Sequence, residues 1–321
     1  MFYQVIRNNQ YLQGLKALLT DIYDIDVINI TEAKRGFFGE TWTAETPKCK
    51  YFIKIDFWNY HKEIYRKSFS VVEYINSCGI DYILKIIKTK TGELFTRFNG
   101  GIMGVFEFFD GENSENYPIH LLFNKLALIY KLSINSVEIE KETFDATVIN
   151  KFYMFKDTLS ENTNKTASQI ISLFKDKTDL INKYANRLYI FSDHCKTNLD
   201  GFCITHGDAG GNCIINKKNF IIVDWDYPKL APPERDAWFF MWDTKQTDII
   251  NKLLKENNID YTLDKNRFCY YCYYSFFYYL TEYLQAYFSV SSITEKQVFA
   301  DELVKYFDSW IFRHLHFADN Y

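Results

Sequence analysis

Two carboxylates and an amide crowd into one short stretch of this chain. Thr205-His206-Gly207-Asp208-Ala209-Gly210-Gly211-Asn212 leads into the apolar run Cys213 to Ile215, and a second apolar run, Phe220 to Val223, ends at Asp224-Trp225-Asp226. Asn216-Lys217-Lys218-Asn219 separates the runs as a polar turn, so the pattern predicts a β-hairpin. A hairpin brings its outer ends together. Asp208 and Asn212 before the first strand and Asp224 after the second are thereby gathered at one edge. Such oxygen donors suit a divalent cation, with a further carboxylate beside it as general base. The plain alternative is a turn, because Asp, Asn and Gly dominate turns whatever their function.

The elements that must position this hairpin lie on both sides of it. Ile6 to Tyr23 carries an amphipathic helix pattern, and Asp26 to Ile30 alternates as a strand. In Ala33-Lys34-Arg35-Gly36-Phe37-Phe38-Gly39-Glu40-Thr41-Trp42, Gly36 and Gly39 could let backbone amides close over phosphate oxygens; an ordinary hairpin loop reads the same way. Lys50-Tyr51-Phe52-Ile53-Lys54-Ile55 is a strand with a lysine inside it, which needs an anionic partner if it is buried and none if it is exposed. Tyr60 to Cys78 reads as a helix with Ile64, Phe69, Val71, Val72 and Ile75 inward; its carboxylates Glu63 and Glu73 serve equally as solvated side chains.

Strands are expected at Tyr82 to Lys88, Leu94 to Phe98 and Ile102 to Phe109, after which Asp110-Gly111-Glu112-Asn113 reads as a hinge. The period then changes from two to 3.6. Helices are expected over Ile119 to Leu132, Thr166 to Asn198, Ile249 to Leu254, Phe268 to Phe288 and Thr294 to Phe317, with another beginning at Asp236 to Trp242. Ser160 to Lys165 reads as an outward polar loop.

The hairpin resembles the His-Arg-Asp-x-x-x-x-Asn and Asp-Phe-Gly loops of kinases, with Gly207 in place of Arg and Asp224-Trp225-Asp226 in place of Asp-Phe-Gly. In this form, with the onward run Tyr227-Pro228-Lys229-Leu230-Ala231-Pro232-Pro233-Glu234-Arg235-Asp236, it is similar to the aminoglycoside phosphotransferase and choline kinase superfamily, closest to the spectinomycin phosphotransferase-like branch. The resemblance implies an α+β, protein-kinase-like two-lobe fold: an antiparallel-sheet nucleotide-binding lobe over 1–109 and a helical lobe over 110–321 carrying the catalytic hairpin and substrate site.

It also implies ATP and Mg²⁺. Lys54 would steady the α- and β-phosphates, Glu63 (or Glu73) would hold Lys54, and Gly36 and Gly39 would cover the phosphates. Backbone groups from Glu107 to Phe109 would meet the adenine edge. Asn212 and Asp224 would hold the metal, Asp208 would orient the acceptor hydroxyl, and His206 would brace the loop. Asp226 would supplement the metal site or face the substrate. One departure stands: Asn212 follows Asp208 by four residues where the kinase pattern has five, so either the loop is one residue shorter or Asn212 is not a ligand.

Composition bounds the rest. A chain of 321 residues holds about two domains by the usual length prior. Its formal net charge of −4 gives no basic footprint, which argues against a nucleic-acid partner and suits a cationic small substrate. The start lacks an apolar signal core, and Tyr270 to Leu280, the most apolar run, is too short to span a membrane. Seven scattered cysteines fit a reducing cytoplasm, with Cys269-x-x-Cys272 a chance pair in a helix.

The acceptor is expected to be a small-molecule hydroxyl, as in an aminocyclitol or aminoglycoside antibiotic. Choline or another amino-alcohol is the close alternative, with Trp238, Trp242 and Trp310 facing a cationic headgroup or simply filling the core. A nucleotide-binding pseudokinase acting as a regulatory module is the alternative of another class.

Overall fold

The computed structural model describes residues 7–33, 39–58, 61–113, 116–134, 137–162, 164–217 and 219–321. They divide into two compact units: the described residues up to Lys141 together with Cys203–Ala231, and Glu142–Phe202 with Pro232–Tyr321. This division does not fall at 109/110. The hairpin of Asp208 and Asp224 belongs to the same unit as Lys54.

The first unit is built on a five-stranded antiparallel sheet in the order β1-β2-β3-β5-β4, with β1 Asn29–Glu32, β2 Glu40–Glu45, β3 Lys50–Asp56, β4 Thr96–Phe98 and β5 Gly101–Glu107. Helix α1, Asn9–Tyr23, starts where the Asn8 side chain accepts from Tyr11 N at 2.9 Å, and it buries Leu15 and Leu19 in one core with Ile53 and Ile55 of β3. Since side chains alternate along a strand, that commitment turns Phe52, Lys54 and Asp56 to the other face. Helix α2, Lys62–Ser77, covers that face. Its Phe69 lies 5.9 Å from Phe106, and a Cβ on Gly104, the register partner of Lys54, would come within 2.8 Å of Phe69. A glycine there lets helix and sheet approach.

The predicted strand over 82–88 is an extended segment without a regular ladder. Ile222 N donates to Tyr82 O (2.8 Å), Ile87 N to Val105 O (2.8 Å) and Glu107 N to Lys85 O (2.9 Å), so it joins the main sheet to the hairpin. Two small sheets complete the unit. One has the order β10-β9-β6, with β6 Glu112–Asn113, β9 Cys213–Ile215 and β10 Phe220–Ile222. The other has the order β7-β11-β8, with β7 Glu140–Lys141, β8 Cys203–Thr205 and β11 Lys229–Ala231. Helix α3, Ile119–Tyr130, packs on β8.

The second unit is helical: α4 Thr147–Ser160, α5 Lys165–Asp176, α6 Thr178–Lys196, α7 Glu234–Ala237, α8 Thr244–Glu256, α9 Lys265–Ser289, α10 Ile293–Tyr306 and α11 Ile311–Ala318. The most deeply buried is α9, packed against α4, α6, α10 and α11. The single helix expected over 166–198 is two, broken at Lys177, where Thr178 Oγ1 donates to Phe174 O at 2.9 Å. The one expected over 294–317 is also two, parted by turns at 307–310. Helix α4 is an addition; its buried side chains Val148, Ile149, Phe152 and Leu159 are diluted by polar neighbours. Among the described residues no helix is long and apolar enough to cross a membrane, and all seven cysteines are free thiols.

Candidate active site

The loop between β8 and β9 carries the chemistry. After Gly207, Asp208 is exposed, and Ala209–Gly211 makes one 3₁₀ turn closed by Asn212 N donating to Ala209 O at 3.2 Å. The four-residue step from Asp208 to Asn212 is spanned by this turn. The Tyr117 hydroxyl fixes it from behind, donating to Gly210 O at 2.7 Å. Val223 N donates to Asn212 O at 2.9 Å, which extends the β9–β10 pairing by one step and brings Asp224 to the mouth of the hairpin beside Asn212.

His206 ties the two ends together. Its Nδ1 accepts from Asp208 N at 3.1 Å, so Nδ1 carries no proton, and Nε2 donates to Val223 O at 2.8 Å. Both ring nitrogens are spent on backbone, and the ring meets Trp225 edge-on at 4.6 Å. This is a brace, as expected of His206. The Asn212 side chain donates from Nδ2 to Asp208 O at 2.7 Å and to Asp208 Oδ2 at 3.1 Å. An amide whose nitrogen is committed in this way has Oδ1 left as its acceptor.

Lys54 converges on the other carboxylates. Its Nζ donates to Asp224 Oδ1 and, at 2.6 Å each, to both oxygens of Asp226. Asp224 has a left-handed backbone, φ 63°, which a non-glycine residue rarely adopts and which Asp tolerates better than most. Its side chain is 42% exposed and that of Asp226 30%, against 11% for Lys54. Burial would lower the Lys54 pKa, but the two carboxylates outweigh it and hold it above the ordinary value. Burial would raise Asp224, but the Lys54 charge wins and keeps it below the usual range. Burial and the neighbouring Asp224 push Asp226 up to about 6.

Helix α2 grips this strand exit from one side. The Tyr65 hydroxyl donates to Asp226 Oδ2 at 2.7 Å, and Ser68 Oγ, one turn on, donates to Trp225 O. Glu63 is elsewhere: its side chain is 77% exposed and pairs with Arg66 at 3.0 Å. The expected Lys54–Glu63 pair is therefore not formed. The helix turns Tyr65, Phe69 and Val72 inward, and Glu63, two residues before Tyr65, lies about 200° around the axis from it. Glu73, the fallback, pairs with Lys88 at 2.5 Å.

The remaining sequence candidates are spread out. Gly36 lies outside the described residues. Gly39 has φ 76°, and a Cβ there would stand 2.6 Å from Ile55 O, so only glycine lets the turn close on β3 beside Lys54. Glu107 is exposed at the end of β5 with its N–H bonded to Lys85 O, and Phe109 is half-buried just beyond. In the second unit Trp238, Trp242 and Trp310 gather around His314, with rings 5.6, 6.1 and 5.6 Å from it, and the Arg313 guanidinium lies 4.1 Å over Trp242. The sequence pattern does not mark Tyr65, Ser68 or Tyr117 for chemistry, although the spacing of Tyr65, Phe69 and Val72 is itself a helical stripe.

Asp224 and Asn212 offer oxygens and no soft ligands. Among the described residues no group of three or more His, Cys, Asp or Glu could hold a metal by itself. Two oxygen donors of this kind suit Mg²⁺, which keeps its waters and takes one or two protein oxygens plus substrate phosphates.

Solved structures share the fold. A spectinomycin phosphotransferase, APH(9)-Ia, in complex with ADP and spectinomycin, is 23% identical with TM-score 0.73 over 90% of this chain and 93% of that one. An ethanolamine kinase from Plasmodium vivax is 14% identical with TM-score 0.61 over 98% and 92%. A macrolide 2′-phosphotransferase type I is 11% identical with TM-score 0.57 over 94% and 99%. No family model and no curated protein matches the chain. These likenesses establish the protein-kinase-like α+β fold that the hairpin motif implied.

Proposed function

We propose that the chain is a small-molecule kinase that transfers the γ-phosphoryl group of ATP to a substrate hydroxyl with the help of Mg²⁺. The observation that carries this reading is the convergence of Lys54 on Asp224 and Asp226, in the same unit as the Asp208–Asn212 loop. The solved relatives named for ADP and spectinomycin, ethanolamine and macrolide support the same class.

Phosphoryl transfer needs positioned phosphates, neutralised charge and an oriented acceptor. Lys54 supplies a cation that already faces carboxylates and can share its protons with phosphate oxygens. Gly36 and Gly39 cover the phosphates, and the backbone of Glu107 to Phe109 meets the base. A magnesium ion held by Asp224 and Asn212 would neutralise phosphate charge when bound. Asp208, steadied by Asn212 and by His206 through its own N–H, accepts a hydrogen bond from the acceptor hydroxyl and takes its proton late, so orientation outweighs basicity.

A cationic acceptor suits the net charge of −4, and we place an aminocyclitol or aminoglycoside first and choline or another amino-alcohol second. The free cysteines support a cytoplasmic setting. The test is ATP turnover with and without Mg²⁺ over a panel of spectinomycin, aminoglycosides, choline and ethanolamine. Turnover stimulated by one acceptor class is expected. Nucleotide binding with no acceptor phosphorylated would replace the kinase by a nucleotide-binding regulatory module.

A further inference from the structure

We infer that Tyr65 is the positioning residue for Lys54, acting through Asp226 in the place where the fold's helix carboxylate was expected; the inference rests on the kinase reading. Three observations converge on it. The Tyr65 side chain is buried, its hydroxyl donates to Asp226 Oδ2 at 2.7 Å, and Lys54 Nζ donates to the same carboxylate at 2.6 Å while standing 5.2 Å from the centre of the Tyr65 ring. Glu63, the nearest helix acid, faces solvent with Arg66.

The helix is also pinned to the strand in this register. Asp56, fully buried two residues after Lys54 and on the same face of β3, accepts from Trp58 N at 2.7 Å and bonds His61 Nδ1 at 2.9 Å. His61 stands just ahead of α2, one turn before Tyr65. The chain that sets Lys54 on β3 thus also sets which residue of α2 faces it.

Charge explains why a hydroxyl serves. Lys54 already faces two carboxylates, and a third would add a like charge to a partly buried group. A phenol donates a hydrogen bond without charge. It satisfies an Asp226 oxygen, stops that carboxylate from rotating, and so holds the ammonium where phosphates are to bind.

The test compares binding of ADP with Mg²⁺ and of adenosine by calorimetry in wild type, Tyr65→Phe, Glu63→Gln, Asp226→Asn and the Tyr65→Phe/Asp226→Asn double variant. Phenylalanine keeps the ring contacts, and a thermal melt checks the fold of each. Tyr65→Phe is expected to weaken ADP by about tenfold or more while adenosine is unchanged, since only the phosphates read Lys54. Glu63→Gln changes neither. The double variant is no worse than Asp226→Asn, as expected of one residue acting through the other. The inference is overturned if Glu63→Gln rather than Tyr65→Phe weakens ADP, if Tyr65→Phe weakens both ligands alike, or if the two losses add. Wild type that binds no ADP would bring down the kinase reading itself, a result distinct from these.

Discussion

Asn212 holds the carboxylate of Asp208: its Nδ2 lies 3.1 Å from Asp208 Oδ2 and 2.7 Å from the Asp208 carbonyl. With its donor the amide therefore faces the carboxylate proposed to orient the acceptor, and its oxygen is left for the proposed cation. These two duties separate on substitution. Asn212→Asp keeps an oxygen ligand but sets like charges side by side, so it is expected to lose more kcat than Asn212→Ala, while Asn212→Ala needs more Mg²⁺ for half-maximal rate. Steady-state rates against Mg²⁺ concentration check this. An Asn212→Asp variant as active as wild type would reduce Asn212 to a ligand.

The Tyr117 hydroxyl holds the 3₁₀ turn through Gly210 O and touches none of the groups proposed to meet nucleotide. Tyr117→Phe removes one hydrogen bond, a loss of about 1 kcal/mol. A several-fold fall in kcat with an unchanged KM for ATP is expected. A rise in that KM with kcat intact would place Tyr117 on the nucleotide side.

How much of this was legible in the sequence follows from distance along the chain. Asp208, Asn212 and Asp224 lie within one hairpin, so turn chemistry and strand period sufficed to gather them. Lys54 and Asp224 are 170 residues apart and were joined only through the resemblance. The Tyr65–Asp226 bond spans 161 residues and depends on the rotational phase of α2, which its own buried stripe and the Asp56–His61 contact set. An apolar stripe tells which face of a helix is inward; it does not tell that a tyrosine on that stripe will meet a carboxylate. The helix breaks at Lys177 and at 307–310 were hidden for a related reason, because both flanking segments keep the same 3.6 period.

Gly39, proposed to cover the phosphates, has φ 76°, and Ile55 O would stand 2.6 Å from any added Cβ. Gly39→Ala is expected to cost at least about 1–2 kcal/mol, to lower Tm by a few degrees and to raise the KM for ATP. Calorimetric melts and ATP saturation curves test it. An alanine variant with wild-type Tm would show that the turn relaxes freely.

Glu234 gives the fold a pH dependence away from the site. It is fully buried, accepts from Tyr261 at 2.9 Å and Asp264 N at 2.5 Å, and Arg267 donates in turn to Tyr261. Burial pushes its carboxyl up to about 7, although Asp264 N, Arg267 and Tyr261 pull the other way. An acid whose folded value lies above its unfolded value of about 4.3 keeps its proton in the native state across that window. Stability from this group is thus complete below about pH 4.3, falls as pH rises, by at most about 1.4 kcal/mol per unit, and levels above about 7. Urea titrations of wild type and Glu234→Gln from pH 5 to 8 should show the wild-type advantage shrinking with pH; a constant difference would contradict it.

The central claim, that Asp208 orients a hydroxyl for attack on a nucleotide held by Lys54 and its carboxylates, is tested most directly by Asp208→Asn in two assays on one sample. ADP affinity is expected to match wild type, while phosphate transfer to the acceptor that wild type uses falls by about 10²-fold to 10⁴-fold. Transfer at the wild-type rate by Asp208→Asn would contradict the account.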